Sequence, residues 1–437
     1  SSRGVAPEAL AMHFRGAGEP GRARVYFEAA AQRAERVLAF DRAADLYRSA
    51  LGLAGSADQP AIELRLADAL TKAGRGAEAA KAFLHAAERV SGDQALTARR
   101  KAVEQLLRAG HMEEGLAVAS VLLPQVGMKF TKTPKHALVS MLASRLKLRL
   151  RGLGFSERSE AQLDPQRLHR IDLCWSLGNG LGGTDMIRGA DFQARHLLLA
   201  LESGEPYRVA RAFSWEAVLR SLEGSPSSLA QSQDLIARAE AITRRIHHPH
   251  AIAWVAAARG VTAHNDQRFR DAVSLCDRAI ALFRQACSDI AWEIASMSAW
   301  WYLSALYFVG DIDTLHRSLP ASLNEAETLG DHYMGTALGV YMHPTSQMLA
   351  GRPDAALATL DAALGGWKAR GFHSMHNMAL YTRVNALLHL GEGRRAHATM
   401  VEQWKALEAS FLLRAKASRI RGYDARGRAV LAAAGEG

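Results

Sequence analysis

The chain has 437 residues, with 54 Lys and Arg against 44 Asp and Glu and a net charge of +10. Hydrophobic residues make up 49% and aromatics only 7%, and the abundance of Ala and Leu favours helices that pack closely. No apolar run approaches the roughly 18 residues that would cross a bilayer. The opening Ser1-Ser2-Arg3-Gly4 has no Met and no signal-peptide core, which reads as a piece of a longer protein. The three cysteines, Cys174, Cys276 and Cys287, match no zinc spacing and read as reduced, buried thiols of a cytoplasmic protein. The basic balance, carried mostly by Arg, reads as a compositional bias of the genome, so neither nucleic acid nor membrane is the expected partner.

Taken in chain order, one offset recurs. Gly18 is followed at +5, +9 and +12 by Ala23, Phe27 and Ala30. Residues 39–51 form a second helix of the same type, with Ala43, Tyr47 and Ala50, so the helix over about 20–38 must serve two hairpins. Gly74 leads to Ala79, Phe83 and Ala86, and Gly110 fits with a shift of one residue, to Leu116. No repeat fits 124–170, which holds Lys129-Phe130-Thr131-Lys132-Thr133-Pro134-Lys135, a helix over His136 to Arg151 and a polar loop to Pro165. The register resumes with Gly204 (Val209, Phe213), Gln267 (Ala272, Cys276, Ala279), Gly310 (Leu315, Leu319, Ser322), Gly351 (Ala356, Leu360, Ala363) and Gly391 (Ala396, Met400). Small and large side chains alternating along one helical stripe let two helices approach and interlock. A glycine before the second helix suits a turn with positive φ.

These offsets resemble the tetratricopeptide (TPR) repeat, in an extended form with turns 40 to 43 residues apart. The expected fold is all-α: a TPR-like right-handed α-solenoid of about nine helical hairpins with a central helical insertion. The expected divisions are an N-terminal arm over 1–123, a basic insertion over 124–170, and a central block with a C-terminal arm over 171–437.

Several stretches imitate chemistry. Gly178, Gly180 and Gly183 spell GxGxxG with Glu202 about 20 residues on, but a dinucleotide site needs a strand before the glycines and a parallel sheet around them. A bend between helices is the reading. His247-His248-Pro249-His250 lacks a fourth ligand and reads as an inter-helix loop rather than a metal site. There is no GxxxxGK[ST] phosphate loop and no defensible Ser/His/Asp or Cys/His set. The chain is therefore not expected to be an enzyme, nor to need a cofactor or a metal.

The candidate binding residues fall in two groups. Asn179, Asp185, Arg188, Asp191 and Arg195 belong to the central block. Arg188, Asp191 and Arg195, spaced by three and four, share one face of an otherwise apolar helix, which suggests a buried polar network or a lined pocket. Trp215, Trp254, Trp300, Trp301 and Tyr341 are candidates for the concave face of the solenoid, where exposed aromatics would be anchors. The helix over 136–151 carries Arg145, Lys147, Arg149 and Arg151 with no acid, and Leu138, Met141, Leu142 and Leu146 as an apolar side. It reads as docked on the solenoid, with an acidic partner, or lipid or phosphate, as alternatives. The tail residues Arg414, Lys416, Arg419, Arg421, Arg426 and Arg428 read as a solvated basic stripe.

Residues 13–51, 148–181 and 187–213 resemble the C-terminal array of bacterial signalling proteins that join a serine/threonine kinase domain, a STAND-type AAA ATPase and TPR repeats. The resemblance implies a sensor and scaffold arm whose partner is another protein or the parent's own kinase and ATPase modules. It implies, alternatively, a receptor for a small-molecule effector that relieves autoinhibition. The kinase and ATPase signatures themselves are absent from this sequence.

Overall fold

The computed structural model describes residues 6–131, 133–287, 290–367 and 371–436. The opening Ser1 to Gly4 and Lys132 of the basic run lie outside the described residues. Every regular element among the described residues is a helix, and the fold is an all-α, TPR-like array of stacked helical hairpins. No helix among them is long and apolar enough to cross a membrane.

The chain forms two compact units. One takes in the described residues up to Phe130, with 290–291, and the other takes in the rest. The first contains α1 (Pro7–Gly16), α2 (Pro20–Arg36), α3 (Phe40–Leu51), α4 (Gln59–Lys72), α5 (Gly76–Ala87), α6 (Gly92–Arg108) and α7 (Met112–Gln125). Helix α2 packs on both α1 and α3, so it serves two hairpins as the sequence demanded.

The second unit opens with α8 (Pro134–Arg151), α9 (Pro165–Gly180), α10 (Met186–Ser203) and α11 (Pro206–Ser221). Next come α12 (Pro226–Ile246), α13 (Pro249–Asn265), α14 (Phe269–Ala286), α15 (Ala291–Ser296) and α16 (Leu303–Val309), the last two joined by a π-helical turn over Met297–Tyr302. It continues with α17 (Ile312–Thr328), α18 (His332–Val340), α19 (Met342–Leu349), α20 (Pro353–Gly365), α21 (Ser374–His389), α22 (Gly393–Ala409) and α23 (Lys416–Gly435). First helices stack on first helices: α11 on α13, α13 on the π-helical turn, α18 on α21.

The turns explain the offset. Gly18, Gly74, Gly110, Gly204, Gly310, Gly351 and Gly391 all sit at positive φ. In most of these turns the next residue's N–H bonds back five residues, as in Arg75 to Leu70, Asp311 to Leu306 and Arg352 to Gln347, each at 2.9–3.0 Å. That closes the orphan carbonyls at the end of the first helix. Five and nine residues further on, the pairs Ala23/Phe27, Ala79/Phe83, Ala272/Cys276, Ala356/Leu360 and Ala396/Met400 are buried. Two turns do this without glycine. Gln267 (φ 65°) and Leu38 (φ 60°) take the left-handed position, with the same five-residue bonds, Arg268 to Ala263 and Ala39 to Ala34.

The second unit is also tied across long stretches of sequence. The Ser374 N–H donates to the Gly183 carbonyl at 3.2 Å, and the Lys416 N–H to the Leu222 carbonyl at 2.8 Å. The polar loop before α9 is held by Arg158 N–H donating to the Gly204 carbonyl at 3.0 Å.

Candidate functional site

The central block is built from three well-capped helices. Asp164, Asp185 and Glu205 cap α9, α10 and α11, each accepting from a backbone N–H in the first turn. Acceptors at that end satisfy orphan donors and favour the helix dipole. Gly178, Gly182 and Gly189 let α9 and α10 close on each other. A Cβ on Gly178 would lie 3.1 Å from the Gln193 nitrogen, and one on Gly189 3.2 Å from Gly182. Of the false dinucleotide motif, Gly178 lies in the contact between α9 and α10, and Gly183 lies in the turn at residues 181–184.

Three polar contacts, at Ser140, Arg145 and Arg151, clamp α8 onto this block, and a fourth, at Thr131, holds the segment just before it. The Arg195 guanidinium pairs with Asp191 (2.8 Å) and donates to Ser140 Oγ (2.6 Å). Arg188 pairs with Asp185 (2.7 Å) and donates from Nε to the Thr131 carbonyl (3.0 Å). Arg145 on α8 pairs with Glu216 on α11, which Arg220 also engages at 2.8 Å. Arg151 donates to the Leu201 carbonyl at 2.9 Å. Asp191 is fully buried, and burial raises its carboxyl pKa even against Arg195 and the hydroxyls of Ser140 and Thr131. Burial would raise Glu216 as well, but Arg145 and Arg220 outweigh it and hold that carboxyl below its ordinary value.

A second network lies behind the first. Asp172 on α9 receives Arg208 (3.1 and 2.8 Å) and Arg211 (2.6 Å) from α11. The Arg211 guanidinium lies 4.6 Å over the Trp175 ring and 5.1 Å over Tyr207, whose hydroxyl meets His250 Nδ1 at 3.0 Å. His196 is buried beside Trp175, and burial together with Arg211 drives its pKa well down, so it is neutral. Sequence reading missed Asp172, Arg208, Arg211 and Trp175. The usable signal was the pair Arg208 and Arg211 on an apolar helix, the same pattern that drew attention to Arg188, Asp191 and Arg195.

The aromatics of the sequence reading take varied places. Trp215 and Trp254 are buried and pack edge-on with Trp175, centroids 5.0–6.3 Å apart. Trp300 and Trp301 are half-buried on the π-helical turn, and Trp300 donates to the Tyr333 hydroxyl at 3.1 Å. Tyr341 is buried, its hydroxyl 3.2 Å from Ser304 Oγ. Asn179 is 5% exposed, and neither amide atom has a hydrogen-bond partner among the described residues; the same holds for the indole nitrogens of Trp215 and Trp254. Asn179 lies one turn from Gly182, against which the Trp215 ring packs.

The surface of α8 departs from expectation. The helix docks on α10 through Ala137, Ser144 and Leu148, with Met141 half-buried. Of the side expected to dock, Leu138 and Met141 are half-buried while Leu142 and Leu146 are 56 and 57% exposed, and the latter two line up with Val139 and Leu150, 66 and 79% exposed. Their spacing of three and four makes them one stripe, opposite the docked face. Lys135, His136, Lys147 and Arg149 are exposed beside it, and α8 contains no acid. The tail stripe also divides, because Arg421 turns inward over the rings of Phe308 and Tyr341. Of the histidines at 247–250, His248 stacks on Tyr207 with centroids 4.2 Å apart and His250 lies against Trp254 with centroids 6.4 Å apart. No group of three or more His, Cys, Asp or Glu among the described residues is placed to hold a metal ion.

No protein-family model matches the chain. No curated protein matches it. Among solved structures it is similar to yeast Tom70, with 13% identity, a TM-score of 0.32 and 95% of each chain covered. It is also similar to aspartyl phosphate phosphatase F from Bacillus subtilis, with 11% identity and a TM-score of 0.33, covering 86% of this chain and 91% of that one. Both scores are low, and the fold stands on the helices themselves.

Proposed function

We propose that this chain is a non-catalytic recognition arm that binds a protein partner through α8. The observation that carries the reading is the exposed apolar stripe Val139, Leu142, Leu146 and Leu150, with the exposed basic side chains Lys135, Lys147 and Arg149 beside it. Three leucines and a valine left in water on a helix that is clamped from behind make a docking face. The complementary partner is an amphipathic helix with an apolar stripe and acidic borders. A second copy of α8 would oppose like charges and does not fit. In its specific form the partner is a kinase or ATPase module of the same parent protein, as the family resemblance implies.

The test uses a synthetic helix with Leu at spacings of three and four and Glu on both borders, fluorescently labelled and titrated with the whole chain. It should bind more weakly as salt rises, and Leu142→Ser with Leu146→Ser should reduce affinity about tenfold or more. Equal binding by the double variant would sink the reading. So would a preference for vesicles of anionic lipid over the peptide, which would make α8 an interfacial helix.

A second reading, an effector receptor, is favoured by one observation: among the described residues the buried amide of Asn179 and the buried indole nitrogens of Trp215 and Trp254, all in the second unit, have no hydrogen-bond partner. Buried polar atoms without partners are uncommon and mark places where a ligand completes the set. A ligand there would quench tryptophan fluorescence in the parent and not in Asn179→Leu. Quenching that survives Asn179→Leu would remove this reading.

A further inference from the structure

A separate cavity of about 360 Å³ lies within the second unit, at the lower end of the size range of small-molecule sites. Its walls include Tyr307, Tyr341, Tyr381, Met348 and Leu349, with Arg421 from α23 reaching in. Most of its polar lining is already engaged. The Tyr381 hydroxyl donates to the Ser418 carbonyl (2.9 Å), and Thr345 and Thr382 donate to backbone carbonyls (2.6 and 2.8 Å). Asp424, the acid at the rim, is held by Arg428 at 2.8 Å, and Arg428 also donates to Asn385 at 2.8 Å.

Arg421 differs. Its guanidinium carbon lies 4.8 Å over the Phe308 ring and 5.2 Å over the Tyr341 ring, and its one hydrogen-bond contact among the described residues is a weak one to the Met378 sulfur at 3.5 Å. Among the described residues no carboxylate lies within ion-pair distance of it. Aromatic rings hold a guanidinium by its faces and leave the in-plane N–H fork free. That fork matches the two oxygens of a carboxylate or phosphate, and a partly desolvated setting strengthens the pair. Met348 and Leu349 in the same lining supply apolar contact.

We infer that this cavity binds a small organic anion: a carboxylate or phosphate monoester with a compact apolar body, its head on the Arg421 fork and its body against the tyrosines, Met348 and Leu349. The inference does not rest on the α8 reading, since the two share no residue.

The experiment is calorimetric titration of the whole chain with benzoate, hexanoate, phenyl phosphate and inorganic phosphate, with thermal melts alongside. At least one of the three organic anions should bind and raise the melting temperature, and each that binds should do so more tightly than inorganic phosphate. Arg421→Gln should weaken binding about tenfold or more, the loss expected with a charge-assisted bidentate contact. Arg426→Gln, on the same helix but stacked on Trp404, should leave it unchanged. Should Arg421→Gln fail to fold, Arg421→Lys keeps the charge and removes the fork, and should also bind more weakly. The proposal is overturned if none of the organic anions binds, if inorganic phosphate binds as well as they do, or if the Arg421 variants that fold bind as tightly as the parent.

Discussion

At the scale of single residues, the turns show where the chain meets backbone strain. Gly310 (φ 82°) has open space around the position a Cβ would take, so Gly310→Ala would add backbone strain and nothing else. It should cost about 1 kcal/mol. Gln267 already carries that strain at φ 65°, so Gln267→Gly should stabilise by about 0.5–1 kcal/mol, less the added freedom of the unfolded chain. Chemical denaturation of both variants checks the pair, and the same sign for both would contradict the turn assignment. This is also where sequence reading reached its limit. The glycine turns were legible because glycine is the residue that tolerates positive φ. Leu38 was not, because nothing about a leucine announces a left-handed turn. The helix it opens was legible only through Ala43, Tyr47 and Ala50. His264 supplies a pH dependence. It is buried, with Nε2 3.0 Å from Ser304 Oγ, and burial first, then the Arg421 charge, lowers its pKa from 6.5 to about 3. The unfolded chain therefore takes up a proton that the folded chain refuses. The stability tied to neutral His264 is complete above pH 6.5 and is lost progressively as pH falls toward 3. His264→Gln should flatten the fall in melting temperature between about pH 7 and pH 5. An unchanged slope would mean that other groups dominate.

At the scale of elements, α8 shows what a helix sequence conceals. Its eighteen residues are apolar on two opposite sides, Ala137 with Leu148 on one and Leu142 with Leu146 on the other, and basic between them. Period alone identifies the helix and leaves open which apolar side docks. The answer lies in side chains on other elements: Asp191, Arg195 and Glu216 reach the Ser144 side of the helix through Ser140 and Arg145. The stretch from Arg188 to Arg195 was legible as a charged face on an apolar helix; its use as a clamp depended on residues 55 to 57 positions away. Asp191→Ala leaves Arg195 without its carboxylate in a largely buried setting and should destabilise the second unit by about 3 kcal/mol. Amide exchange along α8 should rise with it. Glu113→Ala, an exposed change on α7 in the other unit, should do neither. Exchange in α8 that does not respond to Asp191→Ala would show that the clamp is not what holds it.

At the scale of the molecule, an array of repeats is expected to hold itself together by contacts between neighbours. The second unit adds two ties that bypass that rule, Gly183 to Ser374 and Leu222 to Lys416. The second predicts an effect at a distance in sequence: a chain ending at residue 415 lacks the donor to the Leu222 carbonyl, so exchange protection should fall in the 221–224 turn as well as beside α23. Protection unchanged at that turn would show that the tie is incidental. The first tie constrains how the protein can change. Helical arrays ordinarily lengthen by copying a hairpin, because each new pair needs only the one before it. Here a hairpin copied anywhere between α11 and α20 would part Gly183 from Ser374 by a helix spacing of about 8–10 Å, far beyond hydrogen-bond reach. The second unit is therefore fixed in its number of repeats, and a designer who wishes to extend this protein must add beyond the ties rather than within them.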